Sequence, residues 1–416
     1  MRKVSQVGVV ALGVRGIFLL VGMTFATWTA QLPSIKTAMG LSDGDLAWLL
    51  GSLNIGALIG LRIGAWLTPH FGSRRMLQVG MPLFALSLLC IAVAPNAVGL
   101  GVALGLFGVT NSVVDVAMNA HGVLVERARG RSVLSGFHAM HSLGMITGAL
   151  IASLLLFLGV PLNVHMTAVA VVVAFLGLVS AGMLFPSHAD KSTPRGSSDS
   201  TRTTGKTPGW SKSLLLLGSL AFLVALAEGA ANDWATVYLH DVTSADTATA
   251  ALGYACFSGA MFVGRLAGDR LIEAAGHAKA LVLGAALAAL CLMTGLLIGT
   301  TLAGIIALIG FGFGVSYTLP LLISLGGKTH GLDGTRSVAN ISTIGYFGFF
   351  TGPTMIGLVS ETSNLGLAMV IPALSMALAA LLAKPVLSIH RRHQQSVAGI
   401  ETRGHEPYPS QKIRVM

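Results

Sequence analysis

Long apolar runs, separated by short polar turns, repeat along almost the whole chain. Each is long enough, at roughly 18–26 residues, to cross about 30 Å of hydrocarbon as an α-helix. The pattern predicts spans at 8–32, 45–68, 76–94, 98–124, 133–158, 164–185, 213–239, 248–269, 278–299, 302–325, 336–360 and 364–386. One long interior polar segment interrupts the series. Residues 186–212, rich in Ser, Thr, Gly and Pro, have nothing to bury and read as a cytoplasmic linker between two six-helix halves, 1–185 and 213–386. The tail, 387–416, is polar and basic and is expected to be disordered. The expectation is an all-α membrane protein of twelve transmembrane helices in two pseudo-symmetric bundles.

Composition narrows the function classes. Charged residues make up 10% of the chain, against about 25% in soluble proteins. The hydrophobic fraction is 53% and the mean hydropathy +0.77. So little polar surface excludes a soluble enzyme, and a disordered or fibrous chain as well. The net charge of +10 would prompt a search for nucleic acid in a soluble protein; here the basic excess orients loops across a bilayer. Cys90, Cys256 and Cys291 are scattered through apolar runs with neither metal-ligand spacing nor a disulfide framework. No phosphate-binding loop or cofactor motif is present, and GFGFG at 310–314 lies inside an apolar span with no strand before it. Arg2 and Lys3 precede an apolar run that continues past Trp28, so the N-terminus reads as a retained first helix, not a cleaved signal.

With the N-terminus inside, the cytoplasmic loops collect Arg74, Arg75, Arg127, Arg129, Arg131, the basic linker residues, Arg270, Lys279, Lys328, Arg336 and the basic tail. The opposite loops hold Lys36 and the acids Asp43, Asp45, Asp241, Asp246 and Glu361. This asymmetry places both termini in the cytoplasm. The halves also resemble each other. Trp28 aligns with Trp234 at an offset of 206, Arg131-Ser-Val with Arg336-Ser-Val at 205, and Gly60 and Gly64 with Gly264 and Gly268 at 204. A duplicated six-helix unit places a solute site between the halves near mid-bilayer.

The segment LTPHFGSRRML after the second span resembles the glycine-and-basic signature of the major facilitator superfamily. Gly72, Arg74 and Arg75 fit it, with Pro69 at the usually acidic position. GRLAGDRLIEAAGHAK in the second half keeps more of it, in Gly264, Arg265, Gly268, Asp269, Arg270 and Gly276. The stretches DVAMNAHGVLVERARGRSVLSGFHAMHSLGMITG, EGAANDWATVYL and YFGFFTGPTMIG resemble a bacterial inner-membrane subgroup related to fucose-permease-type and sugar-efflux-type transporters, including a rhizopine-locus membrane protein. That resemblance implies a small polar solute, sugar- or cyclitol-like, and a monomer in the bacterial inner membrane.

Polar side chains inside apolar spans are the candidates for chemistry. Asn111, Asp115 and Asn119 recur every four residues and share one face of the fourth span. Asp115 is a proton-coupling candidate, or else an ion-pair lock to Arg15 or Arg62. In the seventh span Glu228 and Asn232 share a face, and Glu228 is the second titratable candidate. Asp233 points about 100° away and reads as a rim or gate residue. Trp28 and Trp234 suit either interfacial anchoring or stacking on a sugar ring. Asn54, Tyr317 and Tyr346 are candidate hydrogen-bonding groups. Gly72, Arg74, Arg265, Asp269 and Arg270 read as a cytoplasmic gate. His138 and His141 are neighbours on one helix face; the choice is between helix-to-helix hydrogen bonds and a proton relay, since no third metal ligand is evident.

The leading reading is a secondary active transporter working by alternating access, proton-coupled and not an enzyme, with no cofactor. The alternatives are an exporter of hydrophobic compounds and a membrane-embedded sensor or enzyme built on His138 and His141.

Overall fold

The computed structural model describes residues 2–130, 133–189, 211–327 and 334–403. Among them the regular structure is helical. The first half comprises α1 (Arg2–Ala30), α2 (Leu32–Met39), α3 (Asp43–Phe71), α4 (Ser73–Ala92), α5 (Ala97–Arg129), α6 (Leu134–Phe157) and α7 (Leu162–Gly182), followed by a single 3-10 turn at Ser187–Ala189. The second half comprises α8 (Lys212–Asp241), α9 (Thr247–Ala275), α10 (His277–Ile298), α11 (Thr301–Val315), α12 (Thr318–Gly327), α13 (Gly334–Thr362), α14 (Leu365–Ala368) and α15 (Val370–Arg403).

Polar caps set the helix ends. Ser42 and Asp45 form a reciprocal capping box at the start of α3. Asn96, Asp246, Thr300 and Asn364 cap α5, α9, α11 and α14 through their side-chain oxygens. Hydrogen bonds from Thr249 hold the exposed Asp246 carboxyl below the usual carboxylate range. Gly72 and Gly276, 204 residues apart, both turn the chain at positive φ between consecutive long helices.

The duplication reappears in the packing. In the first half α1 packs on α6, α3 on α5, α4 on α7 and α5, and α1 on α7. The second half repeats this six spans later: α8 on α13, α9 on α11, α10 on α15 and α11, and α8 on α15. Gly144 and Gly148 leave no room for a Cβ against the carbonyls of Leu19 and Met23. Gly348 and Gly352 do the same against Phe222 and Leu226. Small residues one turn apart thus let each pair of backbones close up, as membrane helices do where side-chain hydrophobicity supplies no drive. The halves meet along α3 with α13 and α6 with α9, while α2 and α1 lean on α8.

Eleven helices among the described residues are long and apolar enough to cross a membrane. The remaining expected span, 336–360, lies within α13, which is long but carries Ser, Thr, Asn, Tyr, Gly and Pro along its length, so it falls short on apolarity. The tenth span is built from two helices, α11 and α12, with Ser316 and Tyr317 between them. The expected disordered tail is corrected in part: α15 runs unbroken to Arg403, and buried His390 hydrogen-bonds Ser213 across to α8 (2.6 Å). Residues 404–416, linker residues 190–210, and Arg131 and Ser132 of the repeat lie outside the described residues.

Trp48 and Trp66, at 69% and 65% exposure, face outward near opposite ends of α3. Their 18-residue separation spans about 27 Å along the axis, close to a hydrocarbon thickness. They occupy the anchoring positions that the sequence analysis weighed for Trp28 and Trp234. Those two are fully buried instead. Trp28 sits in the core, and Trp234 donates from Nε1 to the Pro353 carbonyl (2.9 Å) beneath Gly357.

Candidate functional site

A cavity of about 360 Å³ lies between the halves. The first half contributes Asn54, Asn111, Asp115, His141 and Ser142; the second contributes Glu228, Asn232, Asp233, Arg265 and Tyr346, with Phe25, Phe349 and Phe350 among the apolar lining. Its polar groups project from otherwise apolar spans, where a charged or amide side chain is costly unless it meets a polar partner or a cavity.

The two walls differ in character. On the first, Asn119 donates to the Asp115 carbonyl (2.9 Å) and to its Oδ1 (3.1 Å), steering the carboxylate into the cavity without lining it. Arg15 and Arg62 are exposed and neither pairs with Asp115, which removes the lock. Asn54 Nδ2 and Asn111 Oδ1 are buried and have no hydrogen-bond partner among the described residues. Such groups are costly to bury unless something else completes them.

On the second wall Glu228, nearly buried, pairs with Arg265 at 3.1 Å, and Arg265 also donates to Ser142 Oγ across the halves (3.2 Å). Glu228 thus has a cationic partner, and Arg265, expected at a cytoplasmic gate, lines the cavity instead. The depth signal was in the sequence: ten residues before Ala275 is about 15 Å from the helix end. Asn232 donates to the Glu228 carbonyl (3.0 Å) and accepts from Tyr254 OH (3.3 Å), a tyrosine the sequence analysis missed. Asp233 lines the cavity at 7% exposure and has neither a hydrogen-bond nor an ion-pair partner among the described residues. It is a buried cavity acid, not a hydrated rim residue.

Other candidates fall elsewhere. Tyr317 is buried at the α11–α12 break, fills the spaces left by Gly268 and Gly284 and donates to the Ala280 carbonyl (3.3 Å). Trp28 and Trp234 are packed away from the cavity and cannot stack on a solute there. Gly72 turns the chain tightly against Ser187, and Arg74 donates to the Gly182 carbonyl (2.9 Å), so both tie parts of one half together. Asp269 and Arg270 are exposed and form no ion pair among the described residues. His141 lines the cavity, whereas His138 rests against Phe18. Among the described residues no group of three His, Cys, Asp or Glu side chains could hold a metal ion.

A cross-half network of ion pairs and hydrogen bonds forms on the acidic side. Lys36 of α2 bridges Asp43 at the head of α3 and Asp241 at the end of α8, joining the halves. Asp43 also accepts from Ser360, and Glu361 accepts from the Gly44 N–H (2.7 Å). Thr236 donates to the Thr29 carbonyl (3.0 Å) and Ser153 to the Ala248 carbonyl (2.8 Å). Among the described residues, every polar contact between the halves lies at the cavity or on this acidic side.

Residues 16–353 match the family model described as Major Facilitator Superfamily. An uncharacterized MFS-type transporter of Yersinia pestis is 32% identical over 352 residues, 84% of this chain and 89% of the relative. Membrane protein MosC of Rhizobium meliloti is 28% identical, over 85% of this chain and 84% of its own. Among solved structures, the nucleoside transporter NupG superposes with a TM-score of 0.69 at 13% identity, over 91% of this chain and 98% of that one. The transporter FucP in its outward conformation gives 0.59 at 18% identity, over 90% and 98%.

Proposed function

The chain belongs to the major facilitator superfamily, and from that premise we propose that it is a secondary active transporter of a small polar, sugar- or cyclitol-like solute, coupled to protons and working by alternating access. Twelve crossings with both termini cytoplasmic belong to the same proposal, supported by the loop charges. So does residence in a bacterial inner membrane.

One observation carries the reading: polar groups from both halves converge on a single cavity, with unpartnered amide atoms on one wall and an ion pair on the other. That is where two bundles rocking about a fixed site would hold a solute. Two solved structures of similar fold, a nucleoside transporter and a fucose:proton symporter, are in keeping with a hydroxylated solute. Asn54 and Asn111 supply hydrogen bonds to hydroxyls, and Tyr346 with Phe349 supplies a flat face.

Asp115 and Glu228 are the coupling groups. Asp115 has Asn119 beside it and no cation, so it takes a proton when the solute loads and gives it up when the site faces the other compartment. Glu228, paired with Arg265, is the second titratable group on the cavity wall. A thermal-shift screen of sugars, cyclitols and amino sugars on purified protein at two pH values identifies the ligand class. Uptake of the hit into proteoliposomes then tests coupling. A pH gradient drives accumulation in the wild type, while Asp115→Asn retains downhill exchange and loses the pH-driven component. Uptake indifferent to the gradient in the wild type refutes proton coupling.

A further inference from the structure

The charge on the cavity walls carries the reading one step further, and the step rests on the transport reading above. Three carboxylates, Asp115, Glu228 and Asp233, face one guanidinium, Arg265, which is already committed to Glu228. With every acid ionised, the lining carries two uncompensated negative charges. A proton on Asp115 accounts for one. Asp233 holds the other, on the opposite wall, more than nine-tenths buried and without a hydrogen-bond or ion-pair partner among the described residues.

We infer that Asp233 is the recognition group for a protonated amine on the solute, so that the transported molecule is a small hydroxylated ammonium compound and not a neutral polyol. The surroundings fit such a ligand. Asn54 and Asn111 line the same cavity and bring amide groups, each with one atom lacking a partner among the described residues, beside where ring hydroxyls would sit. Tyr346, Phe349 and Phe350 offer aromatic surface, which also attracts an ammonium group. A volume of about 360 Å³ sits at the small end of the range for ligand pockets, roughly 300–1,000 Å³. Asn232, one residue before Asp233, has its amide oxygen taken by Tyr254, whereas the Asp233 carboxylate next to it accepts from no described residue.

The test uses matched pairs of probes on purified full-length protein: glucosamine against glucose, and ethanolamine against ethylene glycol, at a pH where the amines are charged. The expected result is binding about tenfold or more tighter for the aminated member of at least one pair, the ratio one charge-assisted hydrogen bond supplies. Asp233→Asn, which keeps shape and removes charge, abolishes that preference, and Asp233→Glu recovers part of it. Equal or tighter binding of the neutral members overturns the inference and leaves the transporter reading intact, as does a preference that survives in Asp233→Asn. Absence of any shift with either amine also overturns it. If glucosamine binds with the Asp233 dependence yet never crosses a liposome membrane, the transport reading fails and the recognition of amines stands. Should the Asp233 variants not fold, the wild-type pair comparison decides alone.

Discussion

The two ends of the interface between the halves differ. On the acidic side Lys36, Asp43, Asp241, Ser360, Glu361 and Gly44 form a cross-linked seam. On the basic side, among the described residues, Arg74 bonds within its own half, and Asp269 and Arg270 are exposed without partners. The sequences are alike in kind, since both ends carry charged residues near helix termini. What separates them is sign composition: a lone lysine among acids can be claimed by both halves at once, whereas an arginine-rich end is self-repelling. The difference identifies a conformation in which the halves are cross-linked on the acidic side and, among the described residues, carry no such ion-pair seam on the basic side.

The largest effect on this asymmetry is expected from Lys36→Met. It leaves Asp43 and Asp241 facing each other with their shared cation gone. Removing one partner of a half-buried pair costs about 1–3 kcal/mol, between the values for exposed and fully buried bridges. Because the cost falls only on the sealed form, the equilibrium shifts by about fivefold or more toward opening of the acidic side. In a cysteine-free background, Ser258→Cys, a position in the cavity lining on α9, should then react faster with an impermeant maleimide added from that side. Glu361→Gln should act in the same direction and less strongly. It weakens the charge-assisted bond from the Gly44 N–H, worth about 1–2 kcal/mol, and leaves the lysine bridge in place. The smallest effect belongs to the basic end: Asp269→Asn and Arg270→Gln, lacking cross-half partners, should leave the maleimide rate within twofold of the parent. A large change there would show that the basic end is also a latch.

Local signals carried the architecture. Hydropathy and loop charge are properties of single segments, so the spans and the acidic and basic ends could be read before any packing was known. The same holds for Asn54, Asn111, Asp115, Glu228, Asn232 and Tyr346, whose polar atoms inside apolar spans have few places to go but the cavity they line. Trp28, Trp234 and Tyr317 were not legible in this way. An aromatic side chain is equally at home against lipid, a neighbouring helix or a solute, and the choice depends on helix rotation, which pattern alone does not fix. Arg265 was drawn toward the membrane surface by its place in a family signature, although its depth along α9 already matched that of a cavity residue. Lys36 stood out in the sequence as the one basic residue among acidic loops, but its two partners lie 7 and 205 residues away. Only the fold brings them together.

The central claim is that the halves rock about the polar cavity, opening one end as the other closes. Two spin-label pairs at equivalent positions of the repeat read this directly after replacement of Cys90, Cys256 and Cys291: Val93 with Leu297 on the acidic side, and Arg75 with Lys279 on the basic side. Lys36→Met should lengthen the Val93–Leu297 distance and shorten the Arg75–Lys279 distance together. Distances that stay fixed in both pairs, or that lengthen in both, would contradict the account.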